Sequence, residues 1–549
     1  MSGVGATTGD PARGTTVSDV LVDGLIRAGI DVVFGVPGLQ LDPLFDAFAR
    51  RRDELRVVHT RHEQAASYMA DGYARASGRI GCFAVVPGPG LLNAGAGIAT
   101  ALATSSPVLG LVADVPSGDR GRRRGVLHEL PDQWAVLSGI TKAAYDLTEP
   151  TAAASVLSAA VRAISERGAG PVGLQVPADV LSARVEPHDA GIAARPAPPE
   201  APDPAQVAEA ARLLAGARAP LVLVGGGMAP EGCAALADLS RRLGAPVIMS
   251  RTGRGLLPDS DPLAFTEAAL PRLLSGADTV LALGSRFLEP GMLIATYPRR
   301  SRPAVIQVDA DPAMLGRGGE IAIGIAADAA TTAVALSSTM AGVAPDPSWL
   351  TTAAETRKEI EALLRGFPEQ HELAGAIRSA LPPDGIVVSG MTQLGYWANV
   401  GYPVERPRTF LTPGYQGTLG FELATALGAK VGAPGQPVVA LVGDGGVMFT
   451  IAELATAVQH EIDVIAIVFN DGAFGNVKRI QQEQYGGRVI ATDLVNPDFV
   501  RLAESFGVRG RRAGDAAALR LALEESLSVG GPTLIEVPVG SMADVRTIL

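Results

Sequence analysis

Short runs of Val, Ile and Leu alternate along this chain with longer Ala-rich stretches whose apolar positions recur at helical spacing. The runs DVVFGVPG, GCFAVVPGPG, PVLGLVADVP, PLVLVGGG, APVIMS, TVLALGS, AVIQVDAD, GIVVSG, PVVALVGDGG, DVIAIVFND and PTLIEVPV read as strands. Nearly continuous apolar runs, rather than period-two alternation, mark strands covered on both faces, and the helical stretches supply the covers. The pattern therefore predicts an α/β protein of doubly wound parallel sheets. Two stretches interrupt it. Residues 186–204, EPHDAGIAARPAPPEAPDP, are rich in Pro and Ala and read as a linker. Residues 340–369 read as a second connection containing one helix. Three units result, at 15–185, 204–340 and 366–549. The first and third are similar in size, which permits an ancient duplication.

Composition narrows the classes. A chain of 549 residues has room for about three or four domains. With 47% hydrophobic and 19% charged residues it is no disordered chain. A net charge of −11 and a pI near 5.2 argue against a nucleic-acid partner. The two cysteines, Cys82 and Cys233, allow neither a disulfide framework nor a CxxC site, which suits a reducing cytoplasm. The opening MSGVGATTGDPARGTT lacks the basic and apolar regions of a secretory signal and reads as a flexible tail. No window reaches the length of apolar residues that a membrane span needs, so no membrane partner is expected.

The chemistry concentrates at two strand ends. One apolar run stops at Gly443-Asp444-Gly445-Gly446 and a second at Asn470-Asp471-Gly472. Strand-end loops are where open α/β sheets bind ligands. Gly445 and Gly446 let a phosphate approach the backbone, and a helix expected to start near Phe449 offers free N–H groups to an anion. Two carboxylates completed by a backbone carbonyl and diphosphate oxygens make an all-oxygen shell suited to Mg²⁺. Taken alone, the same residues also read as two tight turns. A dinucleotide site is a further reading, which VGGGMAPEG at 224–232 only loosely supports.

The pairing of the two motifs resembles the thiamine-diphosphate (ThDP) signature, in which an Asn-Asn pair follows GDG some 25 to 30 residues later. GYQGTLGFELATALGAKVG, YGGRVIATDLVNPDFVRLAESFGV and the N-terminal VFGVPG…TRHEQAASYMADGYARASGRIG…PGPGLLNAGAGIATA resemble the acetolactate-synthase-like ThDP enzymes over nearly the whole chain. The resemblance implies pyrimidine-binding, central Rossmann-like and diphosphate-binding domains. It implies ThDP and Mg²⁺ as cofactors, with Mg²⁺ on Asp444, Asp471 and the backbone oxygen of Ala473. Asp471 departs from the family, where Asn is usual. Further cofactor contacts fall on Gly443, Gly445, Gly446, Phe474 and Gly475, and on Thr392 and Gln393 beside the diphosphate.

Within that family a glutamate hydrogen-bonds the pyrimidine N1′ and so activates the thiazolium C2. In TRHEQAA it is Glu63, followed by a helix from Gln64 to Ala74 with small residues on one face. Its residue-level alternative is an acid favoured by a helix N-terminus. Leu419 is placed as the wedge between the cofactor rings, and the Gly417 carbonyl as acceptor for the 4′-amino group. The family builds each site from two subunits, which implies a homodimer or a dimer of dimers.

Several departures separate the chain from acetolactate synthase proper. The segment GSRFLEP keeps Arg286 but has Pro290 where the family has a second arginine. Ile480 occupies the position of an acceptor-pocket tryptophan. A loop that touches FAD has no counterpart, so FAD is doubtful. FGVPGLQLDPLFDAF and RGVLHELPDQWAVLSGITKAA resemble two active-site segments of benzaldehyde lyase, with the polar types exchanged to Gln40 and His128. An imidazole there is suited to relay protons. His59 and His62 flank the Glu63 segment, while His188, His371 and His460 are expected to be peripheral; no pyruvate-decarboxylase-like His-His pair is seen. SGDRGRRRG at 117–125 reads as a solvated basic loop or a contact for an anionic substrate.

The expected activity is ThDP- and Mg²⁺-dependent C–C cleavage or formation beside a carbonyl, on a small 2-oxo acid or 2-hydroxy ketone. Acetolactate synthase proper, a diketone C–C hydrolase and a non-catalytic relative remain as alternatives.

Overall fold

The computed structural model describes residues 14–186, 200–286 and 303–545. Eighteen strands in these segments form three six-stranded sheets, and every strand pair between them is parallel. The first holds β1 (Val32–Gly35), β2 (Arg56–His59), β3 (Gly81–Val85), β4 (Val108–Asp114), β5 (Ala143–Asp146) and β6 (Val172–Pro177), in the order β2-β1-β3-β4-β6-β5. The second holds β7 (Pro220–Val224), β8 (Val247–Met249), β9 (Ala264–Thr266), β10 (Thr279–Leu283), β11 (Ala304–Asp309) and β12 (Ile323–Ala326), in the order β12-β11-β10-β7-β8-β9. The third holds β13 (Ile386–Ser389), β14 (Phe410–Leu411), β15 (Val438–Gly443), β16 (Ile465–Asn470), β17 (Arg509–Arg512) and β18 (Thr533–Pro538), in the order β14-β13-β15-β16-β18-β17.

Counted within its own sheet, the third order repeats the first, while the middle sheet has the Rossmann order. This agrees with the expected fold class, and the shared order fits the duplication that similar size permits. All eleven apolar runs lie in these sheets. Edge strand β17, Arg-Gly-Arg-Arg, carries no such run because pairing on one side only leaves it polar.

An open parallel sheet forms its ligand crevice where the strand order reverses. Those reversals fall between β1 and β3, between β7 and β10, and between β13 and β15. At the middle one, a cavity of about 540 Å³ is lined by Gly226, Gly227, Arg254, Arg286 and Asp309. Arg254 joins the central unit to the third through the carbonyls of Asn399 and Tyr402, each at 2.6 Å. Arg286 donates to the Ala103 carbonyl of the first unit at 2.6 Å.

The first and third units share one apolar core. The Glu63–Ser77 helix lies directly against the Phe421–Gly432 helix. Glycines set that distance. A Cβ on Gly72 would stand 2.1 Å from the Thr425 carbonyl oxygen, and one on Gly428 would stand 2.0 Å from that of Met69.

The second connection contains the Pro347–Arg365 helix, as its pattern predicts, and a further helix starts at Pro368. Most of the 186–204 linker, the N-terminal tail as far as residue 13, His188 and Pro290 lie outside the described residues. No helix among the described residues is long and apolar enough to cross a membrane.

Candidate active site

The crevice of the third sheet carries the two acidic loops. β15 and β16 pair in register from Val439↔Ile465 to Gly443↔Phe469, so Asp444 and Asp471 leave adjacent strand ends. Asp444 is buried and accepts from Asn496 Nδ2 at 2.6 Å. The same Nδ2 reaches Asn470 Oδ1 at 2.9 Å, which fixes both loops to one amide. Burial raises the Asp444 carboxyl above its ordinary range. Asp471 is pushed up to about 6, first by burial and then by the charge of Asp444, with which it shares a hydrogen bond. Two carboxyls in one low-dielectric site resist joint ionisation unless a cation joins them.

The loops around them permit close approach. A Cβ on Gly475 would lie 2.2 Å from Asp471 Oδ2, and one on Gly445 would lie 2.4 Å from the Phe474 ring. Ala473 donates its backbone N–H to Asp471 Oδ1 at 3.2 Å. Phe474 donates its own to the Thr492 carbonyl at 2.8 Å, which anchors the loop. The helix expected near Phe449 is absent at that point. A helical turn spans Asp444–Val447, further turns follow, and the next helix is Glu453–Gln459. The chain turns immediately after β15, where Gly445 has no side chain to collide with the Phe474 ring.

Across the crevice, the loop after β13 presents Thr392 and Gln393. Thr392 caps the Gln393–Gly401 helix by accepting from Gly395 N at 2.8 Å, so its hydroxyl serves the helix. Gln393 Oε1 is buried without a partner. A Cβ on Gly443 would meet Thr392 Cγ2 at 3.3 Å, so the two loops touch. The GTLG segment closes this crevice. Gly417 and Gly420 both have positive φ, +54° and +82°, and hold half-buried Leu419 between them. Met391 lies at Gly417 and Phe449 at Gly420. Thr418 Oγ1 pairs with Tyr68 Oη of the first unit at 2.9 Å.

The first sheet builds a second crevice. Glu63 opens the Glu63–Ser77 helix, one residue earlier than its pattern predicts, because His62 caps it through Nδ1 on Gln64 N at 3.2 Å. Glu63 Oε2 accepts from Asn93 Nδ2 at 3.0 Å. Gln40, on the loop after β1, accepts from His128 Nδ1 through Oε1 at 3.1 Å, and its Nε2 donates to the Leu127 carbonyl at 3.0 Å. Residues 88 positions apart are thus joined. His128 adopts φ +68°, and its carbonyl lies where a Cβ on Gly88 would be, 2.5 Å away. Gln133 then holds Gly88 N at 2.9 Å. In the 117–125 loop, Arg120 pairs with Asp114 and Asp146, at 2.7 and 2.9 Å, while Arg122, Arg123 and Arg124 are exposed.

Sequence reasoning overlooked three residues here. Asn93 and Gln133 lie inside quoted motifs but carry no signal of their own. Glu453 is the third: it is buried and accepts the backbone N–H groups of Arg61 and His62, both at 3.1 Å. His460 also departs from expectation. It is not peripheral, because its Nε2 meets His59 Nδ1 at 3.2 Å, joining the third unit to the first.

Within the chain, hydrogen bonds join Glu63 to Asn93 and Asp444 to Asn496, not Glu63 to either aspartate. Among the described residues no three His, Cys, Asp or Glu side chains form a metal cluster. The donor set at Asp444 and Asp471 fits a hard cation completed by backbone and ligand oxygens. The glycine-lined loops fit a phosphorylated ligand between them.

Fold and site together define a three-unit α/β protein with chemistry placed at the strand-end crevices of its outer sheets. Three family models match in order: the N-terminal TPP binding domain of thiamine pyrophosphate enzymes over residues 15–136, their central domain over 207–336, and their C-terminal TPP binding domain over 390–537. The chain belongs to the thiamine pyrophosphate enzyme family, in its acetolactate-synthase-like branch. It is 35% identical to the probable 2-ketoarginine decarboxylase AruI of Pseudomonas aeruginosa, over 96% of this chain and 94% of that protein. It is 30% identical to a probable acetolactate synthase large subunit of Methanocaldococcus jannaschii, covering 95% and 91%. It is 31% identical to a sulfoacetaldehyde acetyltransferase of Castellaniella defragrans, covering 95% and 93%.

Proposed function

We propose that this protein is a ThDP- and Mg²⁺-dependent lyase or carboligase that cleaves or forms the C–C bond beside the carbonyl of a 2-oxo acid or 2-hydroxy ketone, usually with loss of CO₂. The observation that carries this reading is the Asp444–Asp471 pair at the ends of adjoining strands, with Asn496 fixing one carboxylate and one loop. Residues 15–185 form the pyrimidine-binding domain, 204–340 the central domain and 366–549 the diphosphate-binding domain. Asp444, Asp471 and the Ala473 carbonyl hold Mg²⁺. Gly443, Gly445, Gly446, Phe474, Gly475, Thr392 and Gln393 enclose the diphosphate, and Gly417 and Leu419 meet the rings.

When bound, ThDP supplies a nucleophilic carbon and an electron sink. The protein orients it and moves protons. Glu63 holds a proton at the pyrimidine N1′, and Asn93 fixes its carboxylate. His128, oriented by Gln40, hands protons to and from the substrate oxygen. Exposed apolar side chains surround both outer crevices: Leu39, Leu92 and Leu127 near the first, Met448, Phe449 and Tyr485 near the third. Their exposure supports a homodimer, or a dimer of dimers, in which Glu63 of one subunit faces Asp444 of another. The acidic chain with two unpaired cysteines supports a cytoplasmic protein.

Purified protein given ThDP and Mg²⁺ is expected to release CO₂ from at least one member of a 2-oxo acid panel, with and without aldehyde acceptors. The relative named for 2-ketoarginine makes a guanidinium-bearing 2-oxo acid the first to include. Absence of Mg²⁺-dependent ThDP binding overturns the reading.

Acetolactate synthase proper is the second reading, favoured by the relatives that carry that name. Ile480, on the Gly475–Gln484 helix, and the use of Arg286 on a backbone carbonyl count against it, and the missing FAD-contact loop counts against FAD. Strong acetoin colour after acid treatment of a pyruvate incubation, especially one that needs FAD, would select it.

A further inference from the structure

Glu422 is a buried acid that the cofactor reading leaves without a role. It lies in the first turn of the Phe421–Gly432 helix and is 1% exposed. One carboxyl oxygen, Oε1, accepts from Met391 N at 3.1 Å, while Oε2 is buried without a partner. The carboxyl presses on Gly390, where a Cβ would stand 1.6 Å from Oε1. It also faces Gly446, where a Cβ would stand 3.8 Å from both oxygens. Gly390 and Met391 follow β13, and Gly446 follows β15. Glu422 therefore stands behind the reversal point of the third sheet, between the two loops that form its crevice. Among the described residues no cation pairs with it.

We propose that Glu422 is a positioning residue acting as a neutral carboxylic acid, which ties the loop after β13 to the turn after β15 behind the diphosphate and takes up a proton when ThDP binds. The proposal rests on the ThDP reading of the same crevice. A buried carboxylate without a counter-ion is costly, and a diphosphate brought close to it adds like charge that Mg²⁺ only partly offsets. The proton comes from solvent and forms the Oε2–H bond, with no other bond broken in the protein. Burial already pushes Glu422 up to about 7, so part of the population is ionised at neutral pH before ligand arrives. The titratable groups around it are Tyr68 on the facing helix and Tyr396 on the Gln393–Gly401 helix, both raised by burial and by Glu422. Asp444 begins the helical turn that packs on the Glu422 helix.

The test is calorimetry of ThDP binding with Mg²⁺, in buffers of different ionisation enthalpy at pH 7 to 8, for wild type and Glu422→Gln. Wild type is expected to take up a larger fraction of a proton than Glu422→Gln, and the variant to bind within about threefold of wild type. Equal proton counts, or a loss of affinity beyond tenfold in the variant, overturn the proposal while leaving the ThDP reading intact. A wild type that binds no ThDP overturns both. If Glu422→Gln does not fold, the infrared difference spectrum of wild type on adding ThDP decides instead. A gain in the C=O band of a protonated carboxyl supports the proposal, and its absence overturns it.

Discussion

Glu453 of the third unit accepts the backbone N–H of His62 in the first at 3.1 Å. It accepts that of Arg61 as well, and Thr456 Oγ1 donates to its second oxygen at 2.6 Å. Nine residues after Asp444, the chain thus clasps the loop that ends in Glu63. Truncation to Ala leaves these N–H groups without their acceptor, at a cost of about 1–3 kcal/mol. Glu453→Ala is expected to lower the melting temperature and to reduce kcat more than ThDP affinity, because Glu63 loses its register. Glu453→Gln keeps an acceptor and is expected to be milder. Equal melting temperatures for wild type and Glu453→Ala would contradict the clasp.

Glu63 itself gives a sharper outcome. Glu63→Gln preserves shape and the possibility of a contact with Asn93, but cannot serve as a base. Turnover is expected to fall by roughly 10²–10⁴, with Mg²⁺-dependent ThDP binding retained in calorimetry. Asn93→Ala is expected to reduce kcat less, since it frees the carboxylate without removing it. Turnover of Glu63→Gln at the wild-type level would dismiss the catalytic assignment.

Gln40 and His128 are one unit rather than two residues. Their contact spans 88 positions, and the His128 backbone is held at φ +68° over Gly88. Groups sharing a hydrogen bond show coupling of about 0.5–3 kcal/mol in double-mutant cycles. The cycle Gln40→Ala, His128→Ala, measured on kcat/KM, is expected to show such coupling. Strict additivity would separate them.

Much of this was legible from residue pattern. Buried parallel strands announce themselves as apolar runs, and a parallel sheet puts its loops at one edge, so GDGG and FNDG sort to one crevice before any coordinates. The helix expected near Phe449 failed because periodicity marks the Glu453–Gln459 helix but not the glycine turns before it. Glu453, Asn93 and the His59–His460 contact were illegible for another reason. Each acts through a partner distant in sequence, and a single polar residue on a helix carries no mark of what it faces. Glu422 reads as an ordinary helix acid until the structure shows it buried.

The His59–His460 contact makes the joint between units sensitive to acid. Burial first, then the charges of His59 and Arg56, push His460 down to about 4 from its ordinary 6.5. The unfolded chain therefore binds more protons than the folded one between these values. Stability is expected to rise as pH climbs from about 4 to about 6.5 and to level off above that. His460→Gln is expected to flatten this rise in urea unfolding series at pH 4.5, 5.5 and 7. An unchanged pH slope in the variant would assign the acid sensitivity elsewhere.

Asp471 is the position where the chain departs from the Asn of its family. Its carboxyl shares a hydrogen bond with Asp444, and both lie in a largely buried site. A second carboxylate adds attraction for Mg²⁺ but also repulsion toward the diphosphate that Mg²⁺ carries. An amide keeps an oxygen for the metal and removes the repulsion. Asp471→Asn is therefore expected to bind Mg²⁺–ThDP at least as tightly as wild type, and to lose affinity less steeply as Mg²⁺ is replaced by a larger divalent cation. It is also expected to melt higher without metal, since one of two adjacent buried carboxyls is gone. The checks are ThDP calorimetry at fixed Mg²⁺ and thermal melts in a chelator. A tenfold or greater loss of ThDP affinity in Asp471→Asn would show instead that this clamp depends on the second negative charge.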